Sequence, residues 1–171
     1  DPNRVPSVGG RLALTLAAQP GWFLGDTSVG ASYTRGRYDR DAVLGYEIWG
    51  VDASMQLGKV VVRGEYAHRR TDLSTKASYP YELVDPWFTK EGFYVEAEAP
   101  LGGSFGVVYR YDELGRHGVP LPGSVGLSTN SHILRHTAGI LFTPAPSTFL
   151  KLGWEYWMAS DYTDFHSVHL G

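Results

Sequence analysis

The 171-residue chain contains no cysteine, which removes disulfides, thiolate metal sites and cysteine nucleophiles together. Long apolar runs are missing too. The best is Leu12 to Ala18, far short of the roughly 20 residues that a spanning helix needs, so a helical membrane protein is excluded. No Gly-rich phosphate loop, HExxH or GxSxG motif occurs. Neither sign of charge is in excess: the formal net is -3, which implies neither nucleic acid nor an acidic partner. The chain has no initiator Met and no signal-like segment, so Asp1 is expected to be a processed or trimmed start.

What the chain has is alternation. Between Thr148 and Met158, the residues Leu150, Leu152, Trp154, Tyr156 and Met158 alternate with Lys151, Gly153, Glu155 and Trp157. Side chains in a strand point to opposite faces with period two, so one face here is apolar and aromatic while the other carries both signs of charge. The mean hydropathy of -0.20 conceals this, because the two faces cancel along each strand. Aromatics at 13%, with 11 Tyr and 5 Trp, and 21 Gly suit interfacial belts and short turns.

The same pattern predicts about nine strands of the roughly 9 to 11 residues that cross a bilayer. The first, Val8 to Ala18, sets Leu12, Leu14 and Leu16 against Arg11, Ala13, Thr15 and Ala17, and Pro20, Gly21 and Gly25 make a short connection. The second sets Val29, Ala31 and Tyr33 against Ser28, Gly30, Ser32 and Thr34, with a polar stretch from Arg35 to Asp41 after it. The third sets Trp49, Val51, Ala53, Met55 and Leu57 against Gly50, Asp52, Ser54 and Gln56. Gly58-Lys59 suits a type II′ hairpin, which would put Leu57 opposite Val60 and Ser54 opposite Arg63. The fourth strand then alternates Val60, Val62, Gly64 and Tyr66 with Arg63, Glu65, Ala67 and Arg69, before a loop from Thr71 to Thr89.

The fifth strand turns Phe93, Val95, Ala97 and Ala99 one way and Tyr94, Glu96 and Glu98 the other, with a tight turn at Pro100 to Gly103. The sixth sets Phe105, Val107, Tyr109 and Tyr111 against Gly106, Val108, Arg110 and Asp112, and a loop with Pro120 and Pro122 runs from Glu113 to Ser131. The seventh sets His136, Ala138, Ile140 and Phe142 against Arg135, Thr137 and Gly139, and a two-proline turn at Thr143 to Ser147 leads into the eighth. His166 to Gly171 begins a ninth, with Val168 and Leu170 outward.

Short and long connections alternate, as periplasmic turns and extracellular loops do in outer-membrane barrels. With that assignment Tyr33, Trp49, Tyr66, Phe93, Tyr109, Tyr111 and Tyr156 fall toward one interface, and Trp22, Phe23, Phe105, Phe142 and Phe149 toward the other. An odd strand count leaves the two ends on opposite sides of a membrane, and unpaired edges in lipid are costly. The expectation is therefore one β-barrel segment over 1–171, an incomplete C-terminal portion of a larger barrel. A closed eight-stranded barrel is the alternative if the first strand is not one.

Val60 to Leu73 (VVVRGEYAHRRTDL), Glu91 to Leu114 (EGFYVEAEAPLGGSFGVVYRYDEL) and His136 to Met158 (HTAGILFTPAPSTFLKLGWEYWM) resemble the C-terminal hairpins of Gram-negative porins. The likeness is to the phosphate-selective porin O/P type, in which a strand resembling VRGEYA precedes one resembling GFYVEA. The resemblance implies passive diffusion of small, often anionic solutes through a trimeric barrel of many strands. Two departures stand out: Gly171 is not the terminal aromatic residue of such proteins, and the lumen is not clearly basic.

By facing, the lumen receives Arg11, Arg63, Arg69, Arg110, Arg135 and Lys151, opposed by Asp52, Glu65, Glu96, Glu98, Asp112 and Glu155. Interleaved signs on neighbouring strands predict lateral pairs such as Glu96 with Arg110 that hydrate the lumen and fix register. The competing reading is a basic ladder of Arg63, Arg110, Arg135 and Lys151 at a constriction. The pore-lining set is thus Arg63, Glu65, Glu96, Arg110, Arg135, Lys151 and Glu155. Asp52 and Glu65 would face each other, which is unfavourable unless Arg63 lies between them or one carboxylate is protonated; the pair is a cation site or, in the favoured reading, part of a network whose third member lies on a further strand.

Arg35, Arg37 and Arg40 form a solvated loop, or alternatively contact lipopolysaccharide phosphates. Tyr79, Tyr81, Trp87 and Phe88 form an aromatic loop that could stack on sugars, pack against a partner or, in the favoured reading, fold into the pore mouth. Enzyme readings are weak. His166 and His169 lie on opposite faces, whereas His132 and His136 share a face but stand about 13 Å apart at strand rise, so neither pair converges on a metal. No catalytic residue, metal or cofactor is expected.

The expectation is an all-β, antiparallel up-and-down transmembrane barrel in the bacterial outer membrane, a porin-like channel for small hydrophilic solutes or ions. Its partners would be the bilayer, lipopolysaccharide and the solutes, with no nucleic acid, in a homotrimer or larger membrane complex. A structural barrel serving as sleeve or anchor of a multi-protein machine is the second class. A soluble all-β binding module is the third, and it requires a second sheet over Leu12, Leu14 and Leu16.

Overall fold

The computed structural model describes residues 6–18, 23–38, 43–72, 87–118, 130–145, 147–160 and 163–170. They form nine strands: β1 (Val8–Leu16), β2 (Leu24–Arg37), β3 (Gly45–Leu57), β4 (Val60–Asp72), β5 (Trp87–Gly102), β6 (Phe105–His117), β7 (Asn130–Ala145), β8 (Thr148–Ala159) and β9 (Phe165–Leu170). Every strand pairs antiparallel with its neighbours in sequence, giving one up-and-down sheet in the order β1 to β9. There is no helix among the described residues. The sheet is not closed, because β1 and β9 each pair on one side only. β1 is a true strand, and β2 has β1 rather than β9 beside it, so these strands do not make a closed eight-stranded barrel.

The β3–β4 hairpin follows from its turn residue. Gly58 has φ of 59°, a backbone conformation that side chains with a Cβ resist, and it sets Leu57 opposite Val60 and Ser54 opposite Arg63. The β5–β6 turn differs from expectation. β5 continues through Pro100 to Gly102, a register irregularity absorbs the proline, and the positive φ values fall on Gly102 and Gly103.

Most strands outrun their apolar alternation. β4 reaches Asp72, β5 begins at Trp87, β6 continues to His117 and β7 starts at Asn130. Trp87 and Phe88, expected in a loop, are therefore strand residues, as are Glu113 to His117. At these ends the outward positions turn polar, with His68, Glu91 and Glu113, while the inward ones mix Leu114 and Ile133 with Lys90 and Arg116, so period two in hydrophobicity vanishes while the hydrogen-bonded ladder persists. Expectations about Pro20, Gly21, Trp22, Arg40, Tyr79, Tyr81, Pro120, Pro122 and Gly171 lie outside the described residues.

The two faces differ in accessibility. Along β2 from Val29 onward, Val29, Ala31, Tyr33 and Arg35 are exposed, while the intervening Gly30, Ser32, Thr34 and Gly36 are partly shielded. A flat single layer would expose both faces alike, so along β2 and β8 the polar side chains crowd one another as on the concave face of a curved sheet, while Glu65 and Arg69 of β4 stay exposed on it. The convex face carries the apolar rows and remains uncovered, with Leu12 at 83% and Leu170 at 81% exposure. Val108 is the one buried apolar side chain among the described residues. No second sheet packs over Leu12, Leu14 and Leu16 among them, and Leu152 is half exposed rather than packed in a core.

Candidate functional site

Register lines up the concave face. Ser54, Arg63, Glu96, Arg110, Thr137, Glu155 and Ser167 follow one another across β3 to β9. Asp52, Glu65, Tyr94, Asp112, Arg135, Trp157 and Phe165 make the next row, two residues along. Two-residue periodicity on each strand brings all seven anticipated lining residues to this face.

Seven charges there form a continuous chain of alternating signs. Arg63 Nη1 lies 2.9 Å from Glu96 Oε1 and 3.3 Å from Glu98 Oε2. Arg110 donates to Asp112 at 2.6 Å, and Arg135 bridges Asp112 at 3.1 Å and Glu155 at 3.5 Å. Glu155 also accepts from the Trp157 indole at 3.0 Å. Guanidiniums lie over rings, Arg110 at 3.8 Å from the Tyr94 centroid and Arg135 at 4.7 Å from that of Trp157. Single exposed pairs contribute only about 0 to 1 kcal/mol, but a shared network also penalises any strand slip, which would put like charges opposite one another.

The arrangement refines the expected pairing. Glu96 has Arg63 as its near partner, with Arg110 at 4.0 Å. Three members of the supposed basic ladder, Arg63, Arg110 and Arg135, each contact a carboxylate, so they present no bare positive wall. Lys151 pairs with Leu141 in the β7–β8 register, four residues along the strand from Glu155, and joins no ion pair among the described residues. Asp52 and Glu65 do sit opposite each other. Arg11 of β1 neutralises Asp52 at 2.8 Å, whereas Arg63 is turned to Glu96 and Glu98.

Two concave-face cations escaped the sequence reading. Arg69, Lys90 and Arg116 stand in one register row on β4, β5 and β6, and their addition tilts the balance of this face toward positive. The parity of β5 and β6 would have located Lys90 and Arg116 had those strands been extended. A cavity of about 560 Å³ opens on this side, lined among others by Arg69, Lys90, Tyr94, Arg110, Arg135 and Trp157.

On the convex face the aromatics trace a sloping path. Tyr33 and Trp49 share a row; Tyr66 and Phe93 share the row two residues lower. Tyr111 is two lower again, in line with His136, Tyr156 and His166. From β2 to β6 the path thus descends four residues over four strand spacings. Rings pack along it, Trp49 with Tyr66 at 5.2 Å and Tyr156 with His166 at 4.7 Å. Just above lies a polar cluster in which Glu91 accepts from Tyr66 at 2.8 Å and contacts His117 at 2.9 Å, and Glu113 contacts His132 at 2.6 Å.

One serine, histidine and glutamate do meet. Ser167 Oγ and Glu155 Oε2 lie 3.0 and 3.1 Å from His169, but both contact the same nitrogen, Nε2. A nucleophile relay needs the base to face serine with one nitrogen and its orienting carboxylate with the other, so this trio is a hydrogen-bonded knot of the wall. His166 is outward and His169 inward, in keeping with their separation by facing. No three histidine or acidic side chains gather as a metal site among the described residues.

The fold and this wall define an all-β protein with one apolar and one charged face on a single curved sheet. Compared with known proteins, the chain matches no family model, and no curated protein is a match for its sequence.

Proposed function

We propose that the chain is a wall of an outer-membrane β-barrel through which small hydrophilic solutes or ions diffuse passively. The carrying observation is a one-layer sheet with a single buried apolar side chain among its described residues, an exposed apolar convex face and an ion-paired concave face. So large an apolar surface calls for an apolar neighbour, and hydrocarbon supplies one. The concave charges call for water. Open sheet edges are not tolerated in lipid, so in this reading β1 and β9 pair with further strands that complete the ring.

The aromatic path adds a geometric argument. From β2 to β6 a descent of one residue per strand, at about 3.3 Å rise and about 4.8 Å spacing, corresponds to an incline of about 35°, as in outer-membrane barrels, while from β6 to β9 the row runs level. Tyr33, Trp49, Tyr66 and Tyr111 would then occupy the outer interface. Glu91, Glu113 and their histidines would meet headgroups and lipopolysaccharide just beyond. Neighbouring copies in a trimer, or other subunits of a membrane complex, would share the convex face with lipid. Transport needs no cofactor and no covalent chemistry here: paired charges keep a wetted surface without trapping either sign of ion.

Reconstitution of the protein into planar bilayers tests the reading. The expected result is a steady open level with weak preference between small cations and anions. Absence of any steady conductance from membrane-inserted protein would overturn it in favour of the structural sleeve.

A further inference from the structure

The geometry points to a binding site for short apolar peptides with free termini in the concave cavity above the ion-pair network. This rests on the pore reading only in treating the ligand as a transported solute; the site itself is defined by three stacked rows of side chains. The uppermost row is cationic, with Arg69, Lys90 and Arg116 side by side on adjacent strands. Like charges placed opposite one another repel, and they are tolerated best where an anion comes between them. Arg116 donates to Ser131. Arg69 donates to Thr71 at 3.1 Å and Lys90 lies over the Phe88 ring, and neither meets a carboxylate among the described residues.

The middle row is apolar: Ala67, Gly92, Leu114 and Ile133 lie in register across β4 to β7. Gly92 is confined, since a Cβ there would come within 2.9 Å of the Glu113 carbonyl oxygen, so the floor stays low at this point. The lower row holds Glu65, exposed and without a cation in ion-pair range among the described residues, opposite Tyr94. Arg69 and Lys90, an apolar floor and Glu65 thus succeed one another along the adjacent strands β4 and β5.

Arg69 and Glu65 are four residues apart on β4, about 13 Å at strand rise. Both side chains are long and can lean toward each other, which leaves a span suited to an extended peptide of two or three residues. Its C-terminal carboxylate would meet Arg69 and Lys90 in charge-assisted hydrogen bonds, its ammonium would meet Glu65, and apolar side chains would cover the floor. The cavity, about 560 Å³, is within the roughly 300 to 1,000 Å³ of small-molecule sites. An inorganic anion would use only the upper row and gain nothing from the floor or from Glu65.

Ligand-detected NMR titration of the protein in lipid nanodiscs, with empty nanodiscs as control, tests the proposal. The probes are the tripeptide Ala-Leu-Ala, its N-acetylated form, its C-amidated form and triglycine. Ala-Leu-Ala is expected to bind at least about tenfold more tightly than each of the other three, a difference of about 1.4 kcal/mol. Lys90→Gln should narrow the gap between the free and amidated peptides, and Glu65→Gln the gap between the free and acetylated ones. Equal binding of all four probes to the unaltered protein would overturn the proposal, whether or not either variant folds. Binding without conductance would defeat the pore and leave the site standing; conductance without binding would do the reverse.

Discussion

At the scale of single residues, Arg135 joins Asp112 to Glu155 in the concave network and lies over Trp157. Arg135→Gln leaves two partly buried carboxylates facing an uncharged amide, and should cost about 1 to 3 kcal/mol in urea unfolding of the reconstituted protein. Asp112→Asn in the same background should cost less than it does alone, because the two changes share one interaction. The convex face obeys a different rule. Ile140→Arg puts a charge in the apolar rows and should cost about 2 to 4 kcal/mol when the protein is in a bilayer, whereas Ser54→Arg on the concave face should cost well under that. Equal costs at the two positions would mean that the faces see the same medium.

At the scale of elements, Gly58 holds the β3–β4 hairpin with its φ of 59°. Gly58→Val should destabilise by about 1 to 2 kcal/mol and speed amide exchange in Leu57 and Val60 ahead of the strand centres. This hairpin, with its register from Leu57–Val60 to Asp52–Glu65, was legible from the glycine and from matching faces on either side of it. Strand order and the facing of Arg63, Glu96, Arg110 and Glu155 were legible for the same reason, since period two leaves a side chain only two choices. The strand ends were not. Beyond Tyr66 and Phe93 the outward positions become His68, Glu91 and Glu113, so hydropathy stops alternating while pairing continues. Lys90 and Arg116 were lost with those ends. The choice of partner within a row was also out of reach, because Arg63 can reach both Glu96 and Glu98 from a position that register alone places beside Glu96.

At the scale of the whole molecule, a barrel wall would meet hydrocarbon on the convex face and water on the concave one. The absence of native cysteine allows a clean test along β8, where single cysteines at successive positions from Leu150 to Glu155 can each carry a nitroxide label. Collisional accessibility to oxygen and to a water-soluble nickel chelate is then read in liposomes. Strict alternation is expected: labels at 150, 152 and 154 relax with oxygen and are shielded from the chelate, while those at 151, 153 and 155 show the opposite. Uniform chelate access along β8, or protein that stays in the aqueous phase without lipid, would contradict it.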